Sequence, residues 1–144
     1  MKKMICLLVI VLMIASVAFA AKKMMITPKD LAGLKGHWEG MLDFGIMGGT
    51  SASAPCTLEI LNDSVPVKCK LTVQNVQDFV AQQLGITGGT NTFESADGVI
   101  TSQGTLLWTG PEKGFFELTM TGEKKFSGNY YFRTVKGYVS LKKK

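Results

Sequence analysis

The chain is poor in the residues on which most enzyme chemistry depends. Its 144 residues include one histidine, His37, and one arginine, Arg133. A serine triad would have to be assembled around that single imidazole. Of the three cysteines, Cys6 lies inside an apolar N-terminal run, which leaves only Cys56 and Cys69 further along. Gly48-Gly49-Thr50 and Gly88-Gly89-Thr90 are glycine-rich, but neither has the strand–loop–helix setting and the lysine of a phosphate loop. Beyond residue 20 no apolar run approaches the roughly 20 residues that a membrane-spanning helix needs. These shortages predict a protein that is not an enzyme and carries no cofactor or metal. His37 shares a strand face with Glu39 and Asp43, and side chains two apart on a strand lie side by side. Such a pair has the spacing for metal ligation or acid–base work. Because Trp38, Leu42 and Phe44 occupy the opposite face, the polar face reads as the solvated outside.

The N-terminal residues carry a different signal. Lys2 and Lys3 precede an apolar run from Met4 to Ile14, and Ala18-Phe19-Ala20 follows with a small-x-small pattern. This is the arrangement of a signal peptide cleaved after Ala20, and it predicts a periplasmic or secreted protein. Removing 20 of 144 residues leaves 124, enough for one domain with a real core. The expected organisation is a signal peptide over residues 1–20, a lead-in over 21–35 and one β domain over 36–144. The formal charge of +5 falls to +3 without Lys2 and Lys3. Lys142-Lys143-Lys144 reads as a basic tail that aids solubility or attracts anionic surfaces, not as a nucleic-acid reader.

Period-two alternation dominates the remainder. A first strand from His37 to Gly45 places Trp38, Gly40, Leu42 and Phe44 on its core face. Ile46 to Pro55, rich in small residues, reads as a long loop. Cys56–Ile60 and Val65–Val73 then form a hairpin. If Asn62-Asp63 is a two-residue turn, Cys56 comes opposite Cys69 at a spacing that suits a cross-strand disulfide. Pro66 disturbs this register, since it would stand at a hydrogen-bonding position without a proton to donate. Val76, Phe79, Val80 and Leu84 switch to helical spacing, with Asn75 as N-cap and Gly85 beyond the end. Five more strands follow: Thr90–Glu94, Val99–Thr109 (with a possible break at Gly104), Phe115–Thr121, Phe126–Thr134 and Tyr138–Lys142. Turn signals separate them, including Ser95-Ala96-Asp97-Gly98. Eight short strands joined mostly by tight turns predict an all-β fold with one short helix, an up-and-down antiparallel barrel. The mid-chain helix keeps an OB-like barrel as the alternative.

Gly36-x-Trp38 on the first strand, with Leu34 before it and Gly40 after, resembles the calycin group of lipocalins, fatty-acid-binding proteins and avidin-like proteins. The resemblance implies a barrel whose tryptophan packs across a closed end against an arginine, and Arg133 is the only arginine this chain offers. It also implies a ligand inside the barrel. The helix is out of place for a lipocalin, and nothing matches the biotin-contacting residues of avidins. An eight-stranded barrel is either filled by its own side chains or holds one small ligand. The inward-facing candidates are Leu42, Phe44, Leu58, Val67, Leu71, Phe116, Met120, Tyr130 and Phe132. Two functions are therefore expected: a carrier of a small lipophilic molecule, or an interaction module (an inhibitor or envelope accessory protein) with a filled core. The second would use Phe115, Tyr131 and Tyr138, which fall on outward faces.

Overall fold

The computed structural model describes residues 23–45, 51–109, 114–132 and 135–144. The proposed signal peptide, the Gly48-Gly49-Thr50 run and Arg133 lie outside them. Eight strands follow one another around a closed barrel: β1 (Gly36–Gly45), β2 (Ser51–Ile60), β3 (Val67–Val76), β4 (Gly89–Ile100), β5 (Leu106–Thr109), β6 (Phe115–Gly122), β7 (Lys125–Phe132) and β8 (Val135–Lys143). Every neighbouring pair is antiparallel, and β8 returns to β1 to close the ring. Strand order thus equals chain order, which is the up-and-down topology and not the Greek key of an OB-fold.

The alternation produces this closure directly. On β1, Trp38, Leu42 and Phe44 are buried while His37, Met41 and Asp43 are exposed. Gly40 lies between the buried positions for a packing reason. A Cβ there would come within 1.8 Å of the Ser140 carbonyl oxygen on β8, so only glycine lets the two edges of the sheet meet.

Several boundaries depart from the sequence expectations. β2 begins at Ser51, so residues 51–55 are strand and not loop; alternation among small side chains carries little hydrophobic contrast. The β2–β3 connection occupies residues 61–66 instead of a two-residue turn. Asn62 organises it, donating from Nδ2 to the Ser64 and Pro66 carbonyls at 3.1 and 2.9 Å and accepting from the Lys68 amide at 2.7 Å. Pro66 therefore lies before β3 and removes no ladder hydrogen bond. Val65, expected to face inward, is exposed in this loop.

Ser95 to Gly98 is also not a turn. β4 runs through it, with a register irregularity against β3 between Val67 and Cys69. The break at Gly104 is real, and it separates β4 from β5. The count of eight survives because one expected turn disappears while the other forms.

Two short helices accompany the strands. Pro28–Asp30 forms a 3-10 turn leading into α1 (Leu31–Leu34). The Asp30 carboxylate accepts from both the amide and the hydroxyl of Thr27 at 2.7 Å. Those bonds, the hydroxyl first, hold its carboxyl below the ordinary value. The lead-in is bonded to the barrel through Met24 N–H to the Met120 carbonyl and Ile26 N–H to the Gly104 carbonyl.

α2 (Asp78–Leu84) joins β3 to β4, and Gly85 ends it in the left-handed region at φ 66. Asn75 is not its N-cap. β3 continues to Val76, and Asn75 instead takes φ 54 at an irregularity in that strand, a conformation asparagine tolerates better than most residues. Val80, Ala81 and Leu84 are buried, whereas Phe79 is exposed.

Candidate functional site

One end of the barrel is a plug built on Trp38. Its ring is fully buried and packs on Phe126 with centroids 4.3 Å apart. The indole Nε1–H donates to the Leu34 carbonyl at 2.8 Å, which fixes the lead-in across this end. Among the described residues, the cation above the indole is Lys143. Lys143 Nζ lies 5.7 Å from the Trp38 ring centroid and also donates to the Gly33 carbonyl. Arg133 itself is outside the described residues, but its flanking strand ends, Phe132 and Val135, pair at the opposite end of the barrel. Lys143 went unread because a terminal lysine run resembles a solvated tail. Its strand parity, inward like Leu141, was the available signal.

At the opposite end, α2 lies over the interior. Leu42, Phe44, Leu71, Phe116, Tyr130 and Phe132 surround a small hollow there, as six of the nine expected lining residues. Leu58, Val67 and Met120 are buried but elsewhere in the core. Val73, Val76, Leu84, Ile86 and Phe93 complete the wall; those on α2 and its exit turn were not legible as lining, since only the fold swings them over the strands. Aromatic stacking fills most of the space. Trp108 stacks on Phe116 at 4.7 Å, Phe116 on Tyr130 at 4.5 Å. What remains is about 20 Å³, room for one water by volume and far below the roughly 300 Å³ or more of a ligand pocket. Among the described residues, Tyr130 supplies the only polar side-chain atom in this wall. Burial pushes its hydroxyl well above the ordinary tyrosine range.

His37 lies on the outer wall, with Nε2 3.2 Å from Glu39 Oε1 and Nδ1 3.5 Å from Glu59 Oε1. All three side chains are more than two-fifths exposed. Lys144 Nζ reaches the other Glu39 oxygen at 2.9 Å and, as the largest cause, holds that carboxyl below its ordinary value. Among the described residues no group of three or more His, Cys, Asp and Glu side chains is arranged to hold a metal.

Cys56 and Cys69 are both inside the barrel as free thiols, which corrects the expected disulfide. Cys56 stands opposite Val73, and Cys69 opposite Ile60. Four residues of strand separate their levels, about 13 Å, against a Cα separation of roughly 7 Å that a disulfide can bridge.

The outward aromatics do come together. Phe115 and Tyr131 are cross-strand partners and stack at 4.7 Å. Lys136, the next partner in that row, holds its ammonium 5.4 Å from the Tyr131 ring. Tyr138 is two residues further along β8, between Asn129 and Asp43 in register, and is 47% exposed. An open hollow of about 340 Å³ beside it runs from Asp43 to Lys136.

No family profile matches this chain, and no curated protein does. Among solved structures, a redesigned β-barrel is similar at 13% identity with a TM-score of 0.50, over 81% of this chain and 96% of that one. That likeness concerns the fold alone, a closed antiparallel barrel of eight strands.

Proposed function

We propose that this chain is an exported, non-enzymatic interaction module, an envelope accessory or inhibitory protein, that binds a partner protein through its outer wall. The observation that carries this reading is the outward aromatic patch in which Phe115 stacks on Tyr131 and Tyr138 follows two residues beyond Lys136, Tyr138 standing beside an open hollow. Exposed aromatic surface of this kind marks contact sites, and aromatic residues are enriched in interface cores. Export is supported by the Met4–Ile14 run and Ala18-Phe19-Ala20; fractionation with N-terminal sequencing is expected to place the mature terminus at Ala21. The calycin resemblance is supported by Trp38 at a closed barrel end, with Lys143 standing where an arginine was expected.

The test is a photo-reactive side chain introduced at Tyr138 and, as control, at Thr92 on the far wall. Cross-linking in cells should yield a discrete protein adduct from position 138 only. Adducts from neither position, or equally from both, would sink the proposal.

A second reading, the carrier of a small lipophilic molecule, is favoured by one feature. Among the described residues, the hollow under α2 is apolar on every side except for the Tyr130 hydroxyl. A ligand would have to displace α2 and meet that hydroxyl with a polar group. Native mass spectrometry of protein purified without detergent decides between the two: a co-purifying lipophilic species establishes the carrier, and bare protein retires it.

A further inference from the structure

The closed end, away from both α2 and the aromatic patch, carries a second surface. Lys125 on β7 and Lys142 on β8 are direct cross-strand partners, an arrangement of like charges that opposes pairing. Lys124, in the β6–β7 turn, accepts the Lys143 amide at its carbonyl, 3.0 Å away, so the same lysines are tied into one cluster. Lys35 stands just before β1, two residues after Gly33 of α1, whose carbonyl Lys143 reaches. The nearby carboxylates are largely occupied: Glu39 takes Lys144, and Asp30 is held by Thr27. Glu123 lies beside Lys124 in the same turn, but no ion pair among the described residues uses Lys124, Lys125 or Lys142.

Beside this cluster the lead-in exposes apolar side chains. Met25 is 63% exposed and Met24 is 40% exposed, and the Met24–Met120 bridge pins them at the end of β6 from which the lysine turn departs. A lysine-bearing turn close to unbranched apolar side chains is the composition of a face that rests in a headgroup region, and Asp30 and Glu123 share the surface around Met24 and Met25. Lysine is also a point charge without the planar fork that arginine offers to nucleic-acid phosphates, and this end has no arginine among its described residues.

We infer that the closed end is a docking face for a membrane surface rich in anionic phospholipid, with the lysines against headgroups and Met24 and Met25 at the acyl boundary. Glu39, opposite Lys142 on β1, is the one carboxylate in register with this pair and is shared with Lys144; an anionic surface relieves the remaining Lys125–Lys142 repulsion. This inference uses none of the residues of the aromatic patch. If both readings hold, docking turns that patch and α2 away from the bilayer.

The experiment is co-sedimentation of the soluble protein, recovered from expression of the full chain, with vesicles. Binding should occur on phosphatidylglycerol-containing vesicles at low salt, weaken in high salt as screening shortens the reach of the lysines, and be absent on pure phosphatidylcholine. The triple variant K124Q/K125Q/K142Q should lose about tenfold or more in affinity. K136Q removes a charge at the opposite end of the barrel, where Lys136 pairs with Tyr131, and should stay within about twofold of the parent. Met25→Ser should weaken vesicle binding while leaving binding to soluble heparin unchanged. The proposal is overturned if anionic vesicles fail to bind, if neutral vesicles bind equally, if K136Q loses as much as K124Q/K125Q/K142Q, or if Met25→Ser has no effect on vesicles. A failed cross-link at Tyr138 with normal vesicle binding would overturn only the partner-protein reading.

Discussion

Two thiols show what burial does to a single residue. Burial pushes Cys56 and Cys69 from an ordinary value of 9.0 up to about 12, with Asp43 and Asp97 respectively adding to the effect. Below pH 9 the folded and unfolded chains both hold these protons. Between 9 and 12 the unfolded chain has released them while the folded barrel keeps them, so stability falls as pH rises through that window. The slope is at most about 1.4 kcal/mol per pH unit for each thiol. Urea denaturation from pH 8 to 10.5 should show a steeper decline for the parent than for C56A/C69A. Reductant should not change the parent's stability, and thiol reagents should label these residues only after unfolding. The expectation of export made a disulfide the natural reading of two cysteines in a small domain. The register that separates them is not visible in their spacing.

At the scale of elements, the β2–β3 hairpin shows how a turn sets pairing. The two-residue turn and the actual 61–66 loop differ by four residues of register, an even number. Because side chains alternate with period two, an even shift leaves every inward residue inward and changes only its partner. Val67, Cys69, Leu71 and Val73 were therefore placed on the correct face with the wrong neighbours. Asn62 holds the loop through its side-chain hydrogen bonds to Ser64, Pro66 and Lys68. Asn62→Ala should cost about 1–2 kcal/mol in chemical denaturation without altering the barrel's circular dichroism. α2 illustrates the same limit. Helical spacing located it, but Phe79 points outward and Asn75 belongs to β3, since packing against the barrel end decided which stripe of so short a helix is buried.

For the molecule as a whole, closure depends on residues that look expendable. Lys142 and Lys143 belong to β8 and pair with Glu39 and Trp38 of β1, and Leu141 is in the core. Removing residues 141–144 takes out a buried leucine, the Lys143 cover over the plug and the last rungs of the β1–β8 seam. Its expected cost is more than about 3 kcal/mol, with loss of a cooperative thermal transition. Replacing the three terminal lysines by glutamine at full length should leave a cooperative melt, because the strand and not its charge closes the ring. A truncated protein that melted like the parent would show that the seam is held elsewhere.

While the plug position of Trp38 was implied by the calycin resemblance, local pattern by itself determined most of the strands, most of their inward faces and the presence of a mid-chain helix. Those properties follow from alternation and turn residues, which act over a few positions. Tertiary structure alone decided the pairing partners, and through them the fate of the cysteines, the cation over Trp38 and the space left inside. Each of these depends on register and barrel geometry, which are set when distant strands close on one another. The closed end is where the two kinds of information meet. Its tryptophan was legible in one stretch of chain, while the lysines and methionines around it were brought together only by the fold.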